Sequence, residues 1–249
     1  MFVLLFVVIL SVMPNNRVNL FSSSGSSATW QKTTPPQPVL TTTPTTVQSN
    51  PRPDQLDLTK NYYAKLTTSR GVFTLDLFER NAPNTVANFI NLANSGYYNE
   101  SEFYRLIPGV MLQGGSNTSK NPSDKDPTIS NPGYVIPDEI NWDSLDYDED
   151  LRLVLRSEGY SSARKVASKD IDKYMVAMAS PEANSAGSQF VIILNSLTNP
   201  RVNSMRGHAT VFAQVVDSTN IIDEMANLPI QNERLIEKVI IQKVEIFTK

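Results

Sequence analysis

Cysteine does not occur in this chain, and histidine occurs once, as His208. The first absence excludes disulfides, thiolate metal sites, a cysteine nucleophile and a lipidated N-terminal cysteine. The second excludes multi-histidine metal centres and leaves almost no room for a serine–histidine triad. Net charge is small: 22 Lys and Arg against 25 Asp and Glu leave −3. Phosphate backbones are bound by clustered basic surface, so nothing points to nucleic acid as a partner. Asp146, Asp148, Glu149 and Asp150 lie close together, but they lack the glycine and the closing glutamate of a calcium-binding loop. No metal and no cofactor is expected, and His208 reads as a solvent-facing loop residue.

Met1 to Met13 is almost wholly apolar and stops at Pro14, short of the roughly 20 residues of a membrane span. That length suits the core of a secretory signal peptide. However, no Lys or Arg precedes the run, and Ser26-Ser27-Ala28 is the nearest approach to a cleavage site. Residues 1–20 are therefore expected to be a signal peptide or an N-terminal membrane anchor. The chain is expected to act outside the cytoplasm, secreted or tethered. Residues 21–57 are dominated by Ser, Thr, Pro, Gln and Asn, as in Thr33-Thr34-Pro35-Pro36-Gln37-Pro38. Such a composition buries too little apolar area to offset ordering entropy, so a solvated linker is expected. The folded domain is placed at 58–249 and is expected to be a monomer.

Within that domain, Tyr62 to Thr68 and Gly71 to Phe78 alternate across a Ser69-Arg70-Gly71 turn and read as a hairpin. Pro83 falls at a first helical position, with Asn81 or Ala82 as cap. Val86, Phe89, Ile90 and Ala93 then recur at helical spacing, and Gly96 is a natural stop. This predicts an amphipathic helix buried on one face. Residues 117–132 read as loop, and Tyr134 to Glu139 resumes a strand-like pattern. Residues 142–173 are highly charged and read as an insertion with a short helix over Asp148 to Arg156 and a solvated face. Val176–Met178, Gln189–Leu194, Thr210–Val216 and Val239–Phe247 are strand-like. Ser218 is expected to cap a helix carrying Ile221, Ile222 and Met225 on one side.

Two runs carry the chemistry. In Phe103-Tyr104-Arg105-Leu106-Ile107-Pro108-Gly109-Val110-Met111-Leu112-Gln113-Gly114-Gly115, a strand, a Pro-Gly turn and a second strand would aim Arg105, Met111 and Gln113 at a common surface. The second run, Met178 to Ile192, supplies Gln189 among small and apolar residues. Together they resemble the signature segments of the cyclophilin family of peptidyl-prolyl cis-trans isomerases, and the resemblance spans roughly Tyr62 to Phe247. Tyr134 to Glu139 resembles the Gly-Tyr-x-x-Pro-Asp-Glu segment of the bacterial members.

The resemblance implies a mainly β fold: a closed eight-stranded antiparallel barrel capped by two helices, here with a helical insertion. It implies proline-containing polypeptides as substrates. Rotation about an X–Pro amide meets a barrier of about 18–20 kcal/mol and needs only a site that favours the twisted amide, whose prolyl nitrogen gains a lone pair. By resemblance Arg105 is the catalytic donor, and Gln113 would bond either Arg105 or the peptide backbone. Met111 would line the proline cup, and Ala179 and Gln189 the groove edge. Val110, Val191, Ser180 and Met205 stand at further cup and groove positions. Several of these depart from the family pattern: Val110 and Val191 replace phenylalanines, Ser180 an asparagine, Ser204 an aromatic residue, and Ala209 a histidine or tyrosine. Tyr104 and Ser116 stand where histidine and aspartate are usual. A shallow cup follows, so a weakly catalytic module that binds proline-containing segments is the alternative.

Overall fold

In β1 (Tyr62–Thr68) and β2 (Gly71–Leu77) alternate residues turn inward: Ala64 and Leu66 from one strand, Phe73, Leu75 and Leu77 from the other, all buried. The pairing Leu66↔Phe73 and Thr68↔Gly71 closes on a two-residue Ser69-Arg70 turn. The Thr68 hydroxyl holds that turn, donating to the Gly71 carbonyl at 2.8 Å and accepting from Arg70 N at 3.1 Å. Gly71 has φ +137°, and a Cβ there would lie 2.5 Å from Ile221 Cδ1, so only glycine fits.

The same period-2 logic builds β4 (Met111–Gly114), β5 (Met175–Met178), β6 (Phe190–Ile193) and β7 (Val211–Val215), and β3 (Ser101–Ile107) follows it except at a bulge. The two-residue β8 (Ile230–Gln231) and the long β9 (Arg234–Thr248) follow. The computed structural model describes residues 56–117, 132–163 and 165–249. The sheet runs β1-β2-β7-β5-β6-β4-β3-β9, and β9 also pairs with β1. This is a closed eight-stranded antiparallel barrel, as expected, with β8 added as a short hairpin arm on β9. That arm was not foreseen. The expected leader at 1–20 and nearly all of the linker at 21–57 lie outside the described residues, as does most of the loop at 117–132.

The barrel interior is aromatic. Phe89, Tyr98, Phe190 and Phe212 pack with ring centroids 5.2–5.9 Å apart, and Phe103 meets Phe190 edge-on at 5.9 Å. Helices α1 (Pro83–Asn94) and α4 (Thr219–Met225) cap it, and α2 (Glu149–Ser157) lies in the insertion. A single turn, α3 (Pro200–Asn203), was not anticipated.

Several local expectations need correction. Helix α1 is buried almost all round, with Thr85, Asn88 and Leu92 covered as well as the anticipated stripe. Its polar side is roofed by the 134–139 segment: the Tyr134 hydroxyl donates to Asn88 Oδ1 at 2.7 Å, and Asn88 Nδ2 donates to the Gly187 carbonyl at 2.7 Å. That segment makes only one isolated bridge, Ile136↔Ala186, because Pro137 has no N–H with which to extend a ladder. Ala82 occupies the cap position of α1 without a side-chain bond. The buried Glu139 carboxylate caps it instead, taking Asn84 N and Nδ2 on Oε1 (3.0 and 2.9 Å) and Thr85 N and Oγ1 on Oε2 (2.8 and 2.7 Å). Ser218 does not cap α4 with its side chain either: it sits at φ 51°, left-handed, and not in the extended conformation from which a cap side chain reaches back to the first turn. The insertion is more than a solvated face, since Ile140, Trp142, Tyr147, Leu155 and Tyr160 form a small core of their own.

Candidate functional site

Strand alternation places a second apolar cluster on the outer surface of β4, β5, β6 and β7. Phe190, Leu112, Met178 and Phe212 face inward, so their neighbours Val191, Met111, Ala177 and Val211 face out. Ile107, Val110, Ile171, Ile193 and Val202 complete this cluster, with Met205, Ala179 and Ala209 packed half-buried at its edge. Val110 is 4 %, Met111 7 % and Val191 3 % exposed. The wall is therefore filled rather than left as an open hollow. Ile171, from the end of the insertion, is one of the side chains that fill it.

Arg105 reaches this surface through a bulge. The register of β3 on β9 shifts between Phe103 and Arg105, so Phe103 and Leu106 both lie in the barrel interior while Tyr104 and Arg105 between them both reach outer-face amides. Bulges re-aim side chains in this way beside binding sites. The β3–β4 register sets Arg105 opposite Gln113, and β4–β6 sets Gln113 opposite Val191. Arg105 Nη1 donates to Gln113 Oε1 at 3.3 Å, and Gln113 Nε2 donates to Gln189 Oε1 at 3.0 Å. The Tyr104 hydroxyl donates to the same Gln189 oxygen. The two glutamines are buried, and the Arg105 side chain is 30 % exposed. A guanidinium donor therefore ends a line of fixed amides beside an apolar wall.

Sequence reasoning missed what holds the arginine's other edge. Glu233 Oε2 accepts from Arg105 Nε at 2.8 Å and lies 2.7 Å from Nη2. Glu233 sits in the β8–β9 turn, 128 residues along the chain from Arg105, and only the Asn232-Glu233 pair between two strand-like stretches marks that turn in the sequence. Ala179 is fixed by its N–H on the Gln189 carbonyl at 2.8 Å, and the Ser180 hydroxyl donates to the His208 carbonyl at 3.4 Å.

The rim at 204–209 is tied to the insertion. Arg206 donates twice to Asp170 Oδ2, at 2.9 and 2.6 Å, and lies over the Tyr147 ring at 4.6 Å. His208 is not a free loop residue: it is half-buried, with Nε2 2.6 Å from Glu158 Oε2 and its ring edge-on to Tyr160 at 5.1 Å. Burial, and then the charges of Asp138, Glu158 and Glu182, push the Tyr160 phenol up to about 12. A Cβ on Gly207, at φ +79°, would collide with Leu155, which explains the glycine there.

A family model described as cyclophilin type peptidyl-prolyl cis-trans isomerase/CLD matches residues 63–246. A peptidyl-prolyl cis-trans isomerase of Synechococcus elongatus is 44% identical over 78 residues, 31% of this chain and 49% of that protein. A peptidyl-prolyl cis-trans isomerase-like 2 of Rhizopus delemar is 29% identical over 76% of this chain and 29% of its own length. The chain thus spans half or less of these two curated relatives. A peptidyl-prolyl cis-trans isomerase-like 3 of Neurospora crassa is 27% identical over 73% of this chain and 93% of that protein. Among solved structures, a Cryptosporidium parvum cyclophilin type peptidyl-prolyl cis-trans isomerase in the presence of the dipeptide Ala-Pro is 25% identical. It superposes with a TM-score of 0.56 over 75% of this chain and 99% of that one.

Proposed function

The chain belongs to the cyclophilin-type peptidyl-prolyl cis-trans isomerase family, and from that premise we propose that it isomerises X–Pro bonds in polypeptides by stabilising the twisted amide with Arg105. The carrying observation is the line Arg105–Gln113–Gln189 beside the cluster of Val110, Met111 and Val191. Twisting the amide localises a lone pair on the prolyl nitrogen. A guanidinium donor already oriented and partly shielded from water favours that state over either planar one. The outer-face apolar wall receives the pyrrolidine ring, with Met205 and Ala179 at its edges. Gln113, Gln189 and Ser180 hold the peptide backbone. No covalent or metal chemistry is required. The site of action is extracytoplasmic, a reading supported by the apolar run at residues 1–13 and the Ser/Thr/Pro-rich stretch at 21–57, and the substrates are proteins folding there.

The test is an isomerisation assay on the full chain with several residues tried before proline. A positioned donor of this type is worth about 10²–10³-fold, so Arg105→Ala should lower kcat/KM about a hundredfold. Arg105→Lys should recover only part, since a point ammonium does not reproduce the planar fork. The burial of Val110 and Val191 favours a second reading, a module that binds proline-containing segments with poor turnover. Equal rates for wild type and Arg105→Ala, with peptide binding intact, would select it.

A further inference from the structure

We infer that Glu233 is a positioning residue for Arg105, an inference that rests on the isomerase reading above. A guanidinium has five N–H donors in a rigid fork. Here the edge made by Nε and Nη2 is held by Glu233 Oε2 at 2.8 and 2.7 Å, and Nη1 is held by Gln113 Oε1 at 3.3 Å. One hydrogen on Nη1 and one on Nη2 are then left to meet a twisting amide. Gln113 alone fixes one nitrogen and leaves the plane free to swing. Glu233 adds a second anchor on the other side, and two anchors define the plane.

The backbone around Glu233 gives independent support. Asn232 and Glu233 are the two central residues of the β8–β9 turn, with φ of 51° and 62°. In two-residue turns with both residues left-handed, glycine is the usual second residue, because an L side chain adopts that conformation only at a cost. The chain carries a glutamate at this position instead, and its side chain is spent on Arg105. The turn is also docked onto the strand that bears the arginine: Leu106 N donates to the Glu233 carbonyl at 2.8 Å, and Arg234 pairs with Arg105. The carboxylate therefore reaches Arg105 from a rigid base rather than from a mobile loop. Its side chain is 46% exposed, so the ion pair adds little to fold stability, and its effect falls on the orientation of the guanidinium.

The test compares full-length wild type, Glu233→Gly, Glu233→Gln and Arg105→Ala. Glycine suits the left-handed turn, so Glu233→Gly should melt at or above the wild-type temperature while kcat falls about tenfold, less than the roughly hundredfold cost of a 1 Å misplacement because Gln113 still holds one nitrogen, with KM unchanged. Glutamine keeps an acceptor oxygen for Nε and Nη2, so Glu233→Gln should retain most of the rate. The Arg105 Nε–H resonance should shift and exchange faster with water in the glycine variant. A glycine variant as fast as wild type or faster overturns the inference, as does a glutamine variant as slow as the glycine one. Wild type no faster than Arg105→Ala would remove the isomerase reading itself. The Arg105 Nε–H signal then decides separately, since a resonance unchanged in Glu233→Gly refutes the positioning.

Discussion

Replacing Glu139 with alanine is the sharpest test of how this fold is held. Its carboxylate takes four hydrogen bonds from the first turn of α1, two of them from the backbone N–H groups of Asn84 and Thr85. The first N–H groups of a helix have no partner inside the helix. Thr85 is fully buried and Glu139 is 6% exposed, so water cannot simply take the carboxylate's place at Thr85. Stranding one buried donor costs about 1–3 kcal/mol, and losing an anion at a partly buried helix N-terminus costs up to about 2 kcal/mol. The bonds share one carboxylate and do not add independently. The expected loss is about 3–5 kcal/mol, the range found when one partner of a buried charged contact is removed. Against a total of about 5–15 kcal/mol for a domain, the urea midpoint should drop by about a fifth or more, with an unchanged slope. Glu139→Gln should cost less, because its carbonyl oxygen still serves one of the two residues. Far-UV circular dichroism against urea measures both. A loss below about 0.5 kcal/mol for Glu139→Ala, within the range of an ordinary surface substitution, would refute the account of the cap.

Val191→Phe would be expected to rebuild a family-like cup wall, but Val191 is 3% exposed within a cluster already occupied by Ile171, Ile193, Val202 and Val211. The single substitution should overpack, lowering stability by about 1–3 kcal/mol without raising kcat/KM; a stable and faster variant would show that space remains. Burial holds the Asp138 carboxyl above its ordinary value, opposed by its bond from Asn184 N. Ionising it therefore costs more in the folded chain than in the unfolded one, a cost absent below the unfolded pKa and present above the folded one. Asp138→Asn should stabilise at pH 7, and the gain should vanish as the pH falls below about 4; urea midpoints measured from pH 3 to 7 check this.

The parts of this fold legible in the sequence were those governed by short-range periodicity. Alternation in Tyr62–Thr68 and Gly71–Leu77 predicts the hairpin because each strand has one face in the core. Pro108-Gly109 between two apolar strands predicts the turn that sets Arg105 opposite Gln113. What stayed hidden depends on segments far apart in sequence. Glu139 caps α1 from 54 residues away, and nothing near Pro83 signals a carboxylate. Ile171 joins the outer cluster from the far end of a charged insertion. Glu233 occupies a turn position where glycine is the usual residue, so local rules give no reason to expect a side chain there. Ser218 fails as a side-chain cap although its identity suits the role, because the backbone enters α4 in a left-handed conformation.

The rim at 204–209 serves two parts of the fold at once. Its residues divide between two neighbours. Met205 and Ala209 pack on the outer cluster beside Val191 and Val110. Arg206 and His208 turn to the insertion, where Asp170, Tyr147, Glu158 and Tyr160 receive them, and Gly207 makes room for Leu155. Within the rim, Arg206, Gly207 and His208 therefore hold the insertion, whereas Met205 and Ala209 face the apolar wall. The insertion also returns Ile171 to the cluster, so apolar volume missing from Val110 and Val191 is partly supplied from outside the barrel. Arg105, Gln113 and Gln189 depend on none of these contacts: β3, β4 and the strand following Gln189 hold them, together with the β8–β9 turn. The polar line and the apolar wall are therefore supported separately. The insertion bears on the shape of the apolar wall, whereas the barrel and its β8–β9 arm bear on where the guanidinium points.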